Sequence, residues 1–238
     1  NNINNYSLHR STLLEIDMKE YMTDEGFYNY YGEEKEEYQD DTLSYLQIIS
    51  LGDAEYKRYV ESFGGNINDY QTGGIIIDDF SYYSSDHYEH YNVYNVSEGD
   101  TINGKFEDGN SYQINIVKRT DKRPMGLEGN YSSSGYLIIP DSMMDNLDYN
   151  YEALYINSSD TSKLESDIND YLKNTDYEYY LYNVEQEVNA QKSMLLLVAI
   201  FLYGFIIVIS LIGITNIFNT ITTNMNLRSK EFAMLKSI

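Results

Sequence analysis

The sequence predicts an α+β domain of mixed strands and helices, followed by one transmembrane α-helix and a short amphipathic helix at the end. Three observations predict it. Strand-like and helix-like patterns follow one another in mixed order over residues 1 to 190, an apolar run from Met194 to Ile214 lies within a transmembrane segment over 191 to 217, and the few charges of 218 to 238 are mainly basic.

The elements are justified in order. Leu43 to Leu51 (LSYLQIISL) is a strand-like apolar run, and Asp53 after Gly52 is placed to cap a helix reaching Phe63 before a stop at Gly64-Gly65. Ile75-Ile76-Ile77, after Gly73-Gly74, reads as a buried strand. Thr101 to Phe106, a turn at Asp108-Gly109-Asn110, and Tyr112, Ile114 and Ile116 at period two form a hairpin. Tyr136 to Ile139 is a short strand closed by Pro140, with Asp141 set to cap a brief helix to Leu147. Tyr151 to Asn157 is a further strand. Asp160 opens a helix with Leu164, Ile168, Tyr171 and Leu172 on one face and Lys173 near its negative end. Tyr179 to Tyr182 reads as a last strand, and from Val184 a helix can run unbroken into the membrane segment. With two prolines, no long Ser/Gly linker and no solenoid repeat, residues 1 to 190 read as one domain, expected to fold alone when cut from the span.

Between Lys192 and Arg228 there is no charged residue. Met194 to Ile214 holds 21 residues, apolar apart from Tyr203, Gly204, Ser210 and Gly213, and such a helix reaches about 30 Å, the thickness of a bilayer core. Its 15 Leu, Ile, Val and Phe residues are each worth roughly −0.3 to −0.6 kcal/mol at mid-membrane, so insertion is favoured. The alternative, a fully buried helix of a soluble domain, needs protein on every side. Arg228, Lys230 and Lys236 lie just past the run, and by the positive-inside tendency they put the C-terminal stub in the cytoplasm and residues 1 to 190 outside it, at the cell membrane.

Charge bounds the partners. Residues 1 to 192 carry 13 basic and 37 acidic residues, a formal −24, whereas the remainder carries +2. A field of that sign repels phosphate backbones, which excludes a nucleic-acid role. It attracts cations and cationic peptides, although a well-solvated acidic surface is the simpler reading. The absence of cysteine excludes disulfides, thiolate zinc sites and cysteine nucleophiles. The 27 tyrosines, with no tryptophan, suit a carbohydrate-stacking surface, but they recur in every segment, as composition drift would give.

Several constellations look like chemistry. Gly99 to Lys105 (GDTINGK) fits the start of a phosphate loop, but Phe106 stands where a hydroxyl must hold magnesium, and strand periodicity follows in place of a helix. Asp86-His87-Tyr88-Glu89-His90 sets two imidazoles three apart beside carboxylates, a divalent-metal pattern if helical, in a segment that otherwise reads as a loop with surface histidines. Glu33, Glu34, Glu36 and Glu37 around Lys35 read as a solvated face. No catalytic residue, cofactor or metal site is expected from the sequence.

Past the span the chain reads NIFNTITTNMNLRSKEFAMLKSI from Asn216 to Ile238. Over Leu211 to Ile238 this resembles the FtsX-like permease family of ABC transporters, in which a span leads into an Arg-x-x-Glu segment, apolar residues and then a basic residue. Ser97 to Ile102 (SEGDTI), the strand Ile114 to Val117, and Leu137-Ile138-Ile139-Pro140 are similar to the outer domain of MacB-type permeases. Residues 1 to 95 carry no part of either likeness. The chain stops before the family's next glycine and its later spans, so it reads as a fragment. The resemblance implies a permease subunit without its own ATPase site, with a separate ABC ATPase subunit as partner, the lipid bilayer around it, and a dimer or paired permease halves. It also implies that Arg228, Glu231, Phe232 and Leu235 form the coupling surface for that ATPase, with Phe232 and Leu235 on the face of Arg228 and Glu231 and the basic residues setting register. An interfacial helix on lipid head groups is the competing reading. Export of, or resistance to, cationic antimicrobial peptides or similar envelope compounds is the function implied, against a membrane-anchored sensor or binding ectodomain without transport.

Overall fold

A computed structural model describes residues 3–24, 26, 43–84, 86–127, 135–176 and 178–236 of the 238-residue chain. Glu33, Glu34, Glu36 and Glu37 lie outside the described residues. The chain divides into two compact units, Asn1–Ser159 and Asp160–Ile238.

The first unit is sheet-rich. Its elements are β1 (Ile3–Asp17), α1 (Met18–Tyr21), β2 (Leu43–Leu51), α2 (Asp53–Ser62), a 3-10 turn (Ile67–Asp69), β3 (Gly74–Ile77), β4 (Phe80–Ser84), β5 (His87–Tyr91), β6 (Thr101–Lys105), β7 (Ser111–Thr120), β8 (Gly135–Pro140), α3 (Asp141–Met144) and β9 (Tyr151–Ser158). Seven strands run in the order β2-β8-β3-β7-β6-β1-β9, and β1 also pairs with β2. Six of them therefore close into a ring, sealed where Glu15 of β1 meets Lys105 of β6. Gly104 permits that seal, because a Cβ there would lie 2.5 Å from the Glu15 carbonyl oxygen and 2.6 Å from Leu14. The glycine that mimics a phosphate loop in the sequence is thus a close-approach glycine, and the hairpin reading of Thr101 to Ile116 holds.

The ring is filled by side chains, as small barrels are. Leu14, Ile16, Leu46, Ile48, Ile76, Ile102, Ile114, Ile116, Leu137 and Ile139 form its interior. Ile49, Leu51, Ile75, Ile77 and Ile138 point the other way and pack against Tyr56, Tyr59 and Val60 of α2. Both faces of β3, of β8 and of the Ile48–Leu51 half of β2 are therefore buried, which is why Ile75 to Ile77 and Leu137 to Ile139 are apolar runs without alternation, whereas the first half of β2 still alternates exposed and buried. The two buried tyrosines of α2 donate to the carbonyls of Tyr70 (2.6 Å) and Lys122 (2.8 Å), and burial raises both their pKa values.

Several expectations are corrected. Asp53 is the first helical residue of α2, capped by Gly52 without a side-chain bond. Asp141 likewise begins α3 after Pro140, and its carboxylate is occupied by Arg10 and Ser50. His87 to His90 do not lie in a loop: after a turn at Asp86, His87–Tyr91 is a strand, paired antiparallel with β4. The longest strand, β1, has no counterpart in the sequence reading.

The second unit holds α4 (Thr161–Leu172) and α5 (Val184–Leu235). Asp160 caps α4 as expected, accepting from the Lys163 amide at 3.0 Å, and Asn183 caps α5 through the Gln186 amide at 3.2 Å. Tyr179 to Tyr182 is not a strand; Tyr180 and Tyr182 stack with ring centroids 6.4 Å apart in an irregular connection. α5 is 52 residues long, which at 1.5 Å per residue is about 78 Å, and it contains an apolar stretch long enough to cross a membrane. No part of that stretch is buried, so the soluble-core alternative has no surrounding protein here.

Candidate functional site

In the first unit a half-open groove of about 860 Å³ lies between the β6–β7 turn and the loop from α3 to β9. Its walls include Thr12, Phe106, Tyr112 and Tyr149, and its rim carries Glu107, Asp108 and Asp148 with no basic residue. The turn is built by its own sequence: the Asn110 amide donates to Asp108 Oδ1 at 2.8 Å, and the Phe106 amide donates to the Asn110 carbonyl at 2.9 Å. This sets Phe106 against Tyr112, with ring centroids 5.2 Å apart. Tyr149, on the opposite wall, has the Arg10 guanidinium 5.2 Å from its ring centre, although Arg10 does not itself line the groove. Arg10 is itself neutralised by Asp141 (2.6 Å) and Asp145 (2.9 Å), and Asp141 above all pushes its pKa up. The groove is therefore acidic and aromatic, a combination that favours an organic cation over an anion.

A second polar centre ties the β4–β5 hairpin to the ring. Asp78, fully buried, accepts from the Val93 amide at 2.7 Å and the Tyr94 amide at 3.3 Å, and pairs with Arg119 at 2.5 Å. Asp79 pairs with Arg123 and lies 2.8 Å from His90 Nδ1. His87 instead contacts Asp86 at 2.9 Å. On a strand, residues three apart face opposite sides, so His87 and His90 do not converge on one metal. Among the described residues no group of three or more His, Cys, Asp or Glu side chains is placed to hold a metal ion.

Arg228, Glu231, Phe232 and Leu235 all fall on the last turns of α5, with Phe232 and Leu235 both exposed. Helical spacing sets Arg228, Phe232 and Leu235 on one face. The continuous helix extends that face upstream through Ile214, Phe218, Ile221 and Met225, a stripe at spacings of four and three that the sequence reading stopped short of. Among the described residues neither Arg228 nor Glu231 is in an ion pair. The groove residues were not singled out from sequence either; the signal available was the acidic pair Glu107-Asp108 in a turn beside aromatic Phe106 and Tyr112.

Fold and groove define a class: an acidic α+β domain joined in one chain to a helix long and apolar enough to cross a membrane. Compared with protein-family models and with curated proteins, the chain matches none.

Proposed function

We propose that this chain is part of a permease subunit of an FtsX-like ABC transporter, with residues 1 to 190 outside the cytoplasm and the end of α5 inside it. The observation that carries the reading is α5. One unbroken helix holds the uncharged run from Ser193 to Leu227, then places Arg228, Lys230 and Lys236 beside an apolar stripe. With Met194 to Ile214 in the bilayer core, 21 helical residues, about 32 Å, remain beyond it. A helix lying on lipid head groups must run in the membrane plane. A helix continuous with a span points away from that plane, so its apolar stripe is better served by a protein groove. The docking partner is a separate ABC ATPase subunit, with Phe232 and Leu235 as the anchors.

The test is reconstitution of the full-length permease with its ATPase. Phe232→Ala or Leu235→Ala is expected to lower transport per ATP hydrolysed at least several-fold while membrane insertion is retained. Coupling unchanged in both variants, but sensitive to loss of Arg228 and Lys230, gives the segment to the lipid surface instead.

A second reading, a membrane-anchored binding ectodomain without transport, is favoured by the groove. In either case the ligand class is cationic, such as a cationic peptide, supported by Glu107, Asp108 and Asp148 around Tyr112 and Tyr149. A lysine-rich probe peptide titrated against the full chain is expected to bind more weakly to Asp148→Asn and to Tyr149→Ala, and more weakly as salt rises. Equal affinity for a neutral peptide of the same length leaves the charge as a solubilising surface only.

A further inference from the structure

The acidic groove of the first unit has a polar floor as well as aromatic walls. Thr12 lies on the β1 face that farther along carries Leu14 and Ile16 into the barrel interior; it lines the groove and is only 8% exposed. Its hydroxyl has no hydrogen-bond partner among the described residues. Such a group calls for a ligand atom that both accepts and donates. An ammonium satisfies the oxygen and leaves the O–H unpaired, whereas an alcohol satisfies both. Beside Thr12, Asn146 and Asn150 bring amides to the groove, again donor and acceptor together. Tyr112 and Tyr149 supply flat rings with polar tips.

We infer that the groove takes an amino sugar, a short oligosaccharide whose pyranose rings carry free ammonium groups. The inference rests on the cationic-ligand reading of this groove and narrows it from peptides to sugars. Each part of the ligand meets its complement. The C–H face of a pyranose lies on an aromatic ring, its hydroxyls reach Thr12 and the two asparagines, and its ammonium meets the rim of Glu107, Asp108 and Asp148. A neutral sugar leaves those carboxylates to repel one another, and a lysine side chain brings only donors to the floor. The sugar ring is also rigid, so little freedom is lost when it is held, whereas a long lysine arm loses much of its own. At about 860 Å³ the groove has room for more than a single ring. A second depression, lined by Glu15, Asp17 and Glu20 against the one cation Lys105, adjoins it across Ser111 and Tyr112, which suits a ligand that repeats its charge along its length.

The test titrates the full chain, in a detergent without a sugar head group, with a linear glucosamine tetramer, its N-acetylated counterpart and tetralysine, at a pH where the sugar amines are protonated. The glucosamine tetramer is expected to bind several-fold more tightly than either of the others. Thr12→Val, close in shape to the parent, is expected to weaken the tetramer several-fold and leave tetralysine unchanged, and Thr12→Ser to restore binding, with near-ultraviolet circular dichroism showing the fold intact. Tetralysine binding as tightly as the glucosamine tetramer overturns the amino-sugar inference and leaves the cationic groove standing, and equal weakening of both probes by Thr12→Val overturns it too. The N-acetylated tetramer binding as tightly as the charged one removes the cationic reading itself. Kanamycin, a compact amino sugar, separates the sources: tighter binding than the linear tetramer gives a soluble aminoglycoside, weaker binding a glycan, and either supports the inference.

Discussion

Asp78→Ala is expected to destabilise the sheet-rich unit by about 3 kcal/mol, the largest effect of any single side chain outside the apolar core. The carboxylate is fully buried and bridges three parts of the chain: the end of β3, the Val93 and Tyr94 amides, and Arg119 near the end of β7. Truncation strands two buried backbone donors together with a guanidinium that is 34% exposed. Arg119 recovers part of its hydration, which holds the loss near the lower end of the range for a broken buried pair. For a unit of this size the midpoint of thermal unfolding falls by roughly 6–12 °C. Asp78→Asn keeps one carbonyl acceptor and loses less. Melting of the detergent-solubilised chain, followed by tyrosine circular dichroism in the near ultraviolet, checks both variants. An Asp78→Ala midpoint within a degree or two of the parent would mean that the hairpin contributes nothing to the cooperative unit.

His9 makes stability depend on pH in the opposite direction from a surface histidine that gains an acidic partner. Burial lowers its pKa to about 4, from an ordinary value near 6.5, against a hydrogen bond with the Met125 backbone that raises it, and its ring lies 4.6 Å from that of Tyr155. The sign follows from proton counting. Between about pH 6.5 and 4 the unfolded chain holds a proton on this imidazole that the folded chain does not, so folding weakens as pH falls through that window. Above it His9 is neutral in both states and contributes no slope. One proton corresponds to at most about 1.4 kcal/mol per pH unit. Between pH 6.5 and 5, above the main carboxylate titration, His9→Gln is expected to flatten the midpoint-versus-pH curve and His87→Gln to leave it sloping. A slope that survives His9→Gln would place the titrating group elsewhere.

His9 also marks where β1 changes partners, since it pairs with Leu51 of β2 on one edge and Ala153 of β9 on the other. Met125 and Gly126 lie over that junction. Gly126 has φ +89°, and a Cβ there would sit 2.5 Å from the Tyr155 ring, so only a residue without a side chain lets the turn rest on the ring. The burial that shifts His9 therefore depends on three segments far apart in sequence.

Elements whose pattern is local were legible. Leu43 to Leu51, Ile75 to Ile77, the Thr101 to Ile116 hairpin, the Asp160 cap and the helix from Val184 all depend on neighbouring residues: a run of apolar side chains, a turn pair, a capping carboxylate. β1 was not legible, because NYSLHRSTLLEID switches its buried face along its length. Ser7, His9 and Ser11 are buried at odd positions, Leu14 and Ile16 at even ones, and no single alternation runs through it. Tyr179 to Tyr182 failed for the complementary reason: aromatic residues with strand propensity have no partner strand there, and propensity without pairing does not make a sheet.

The sequence by itself determined the charge of the chain, the apolar run long enough to cross a bilayer, and the mixed α+β class, because each is set by composition or by periodicity within one segment. Tertiary structure alone decided the closure of six strands into a ring, the acidic aromatic groove and the buried Asp78 centre. Each of these joins residues tens to more than a hundred positions apart. Residues that meet across such distances do so through strand pairing and burial in the assembled sheet, whose two core clusters draw on β2, β3 and β8 together, a property that no window of the sequence contains.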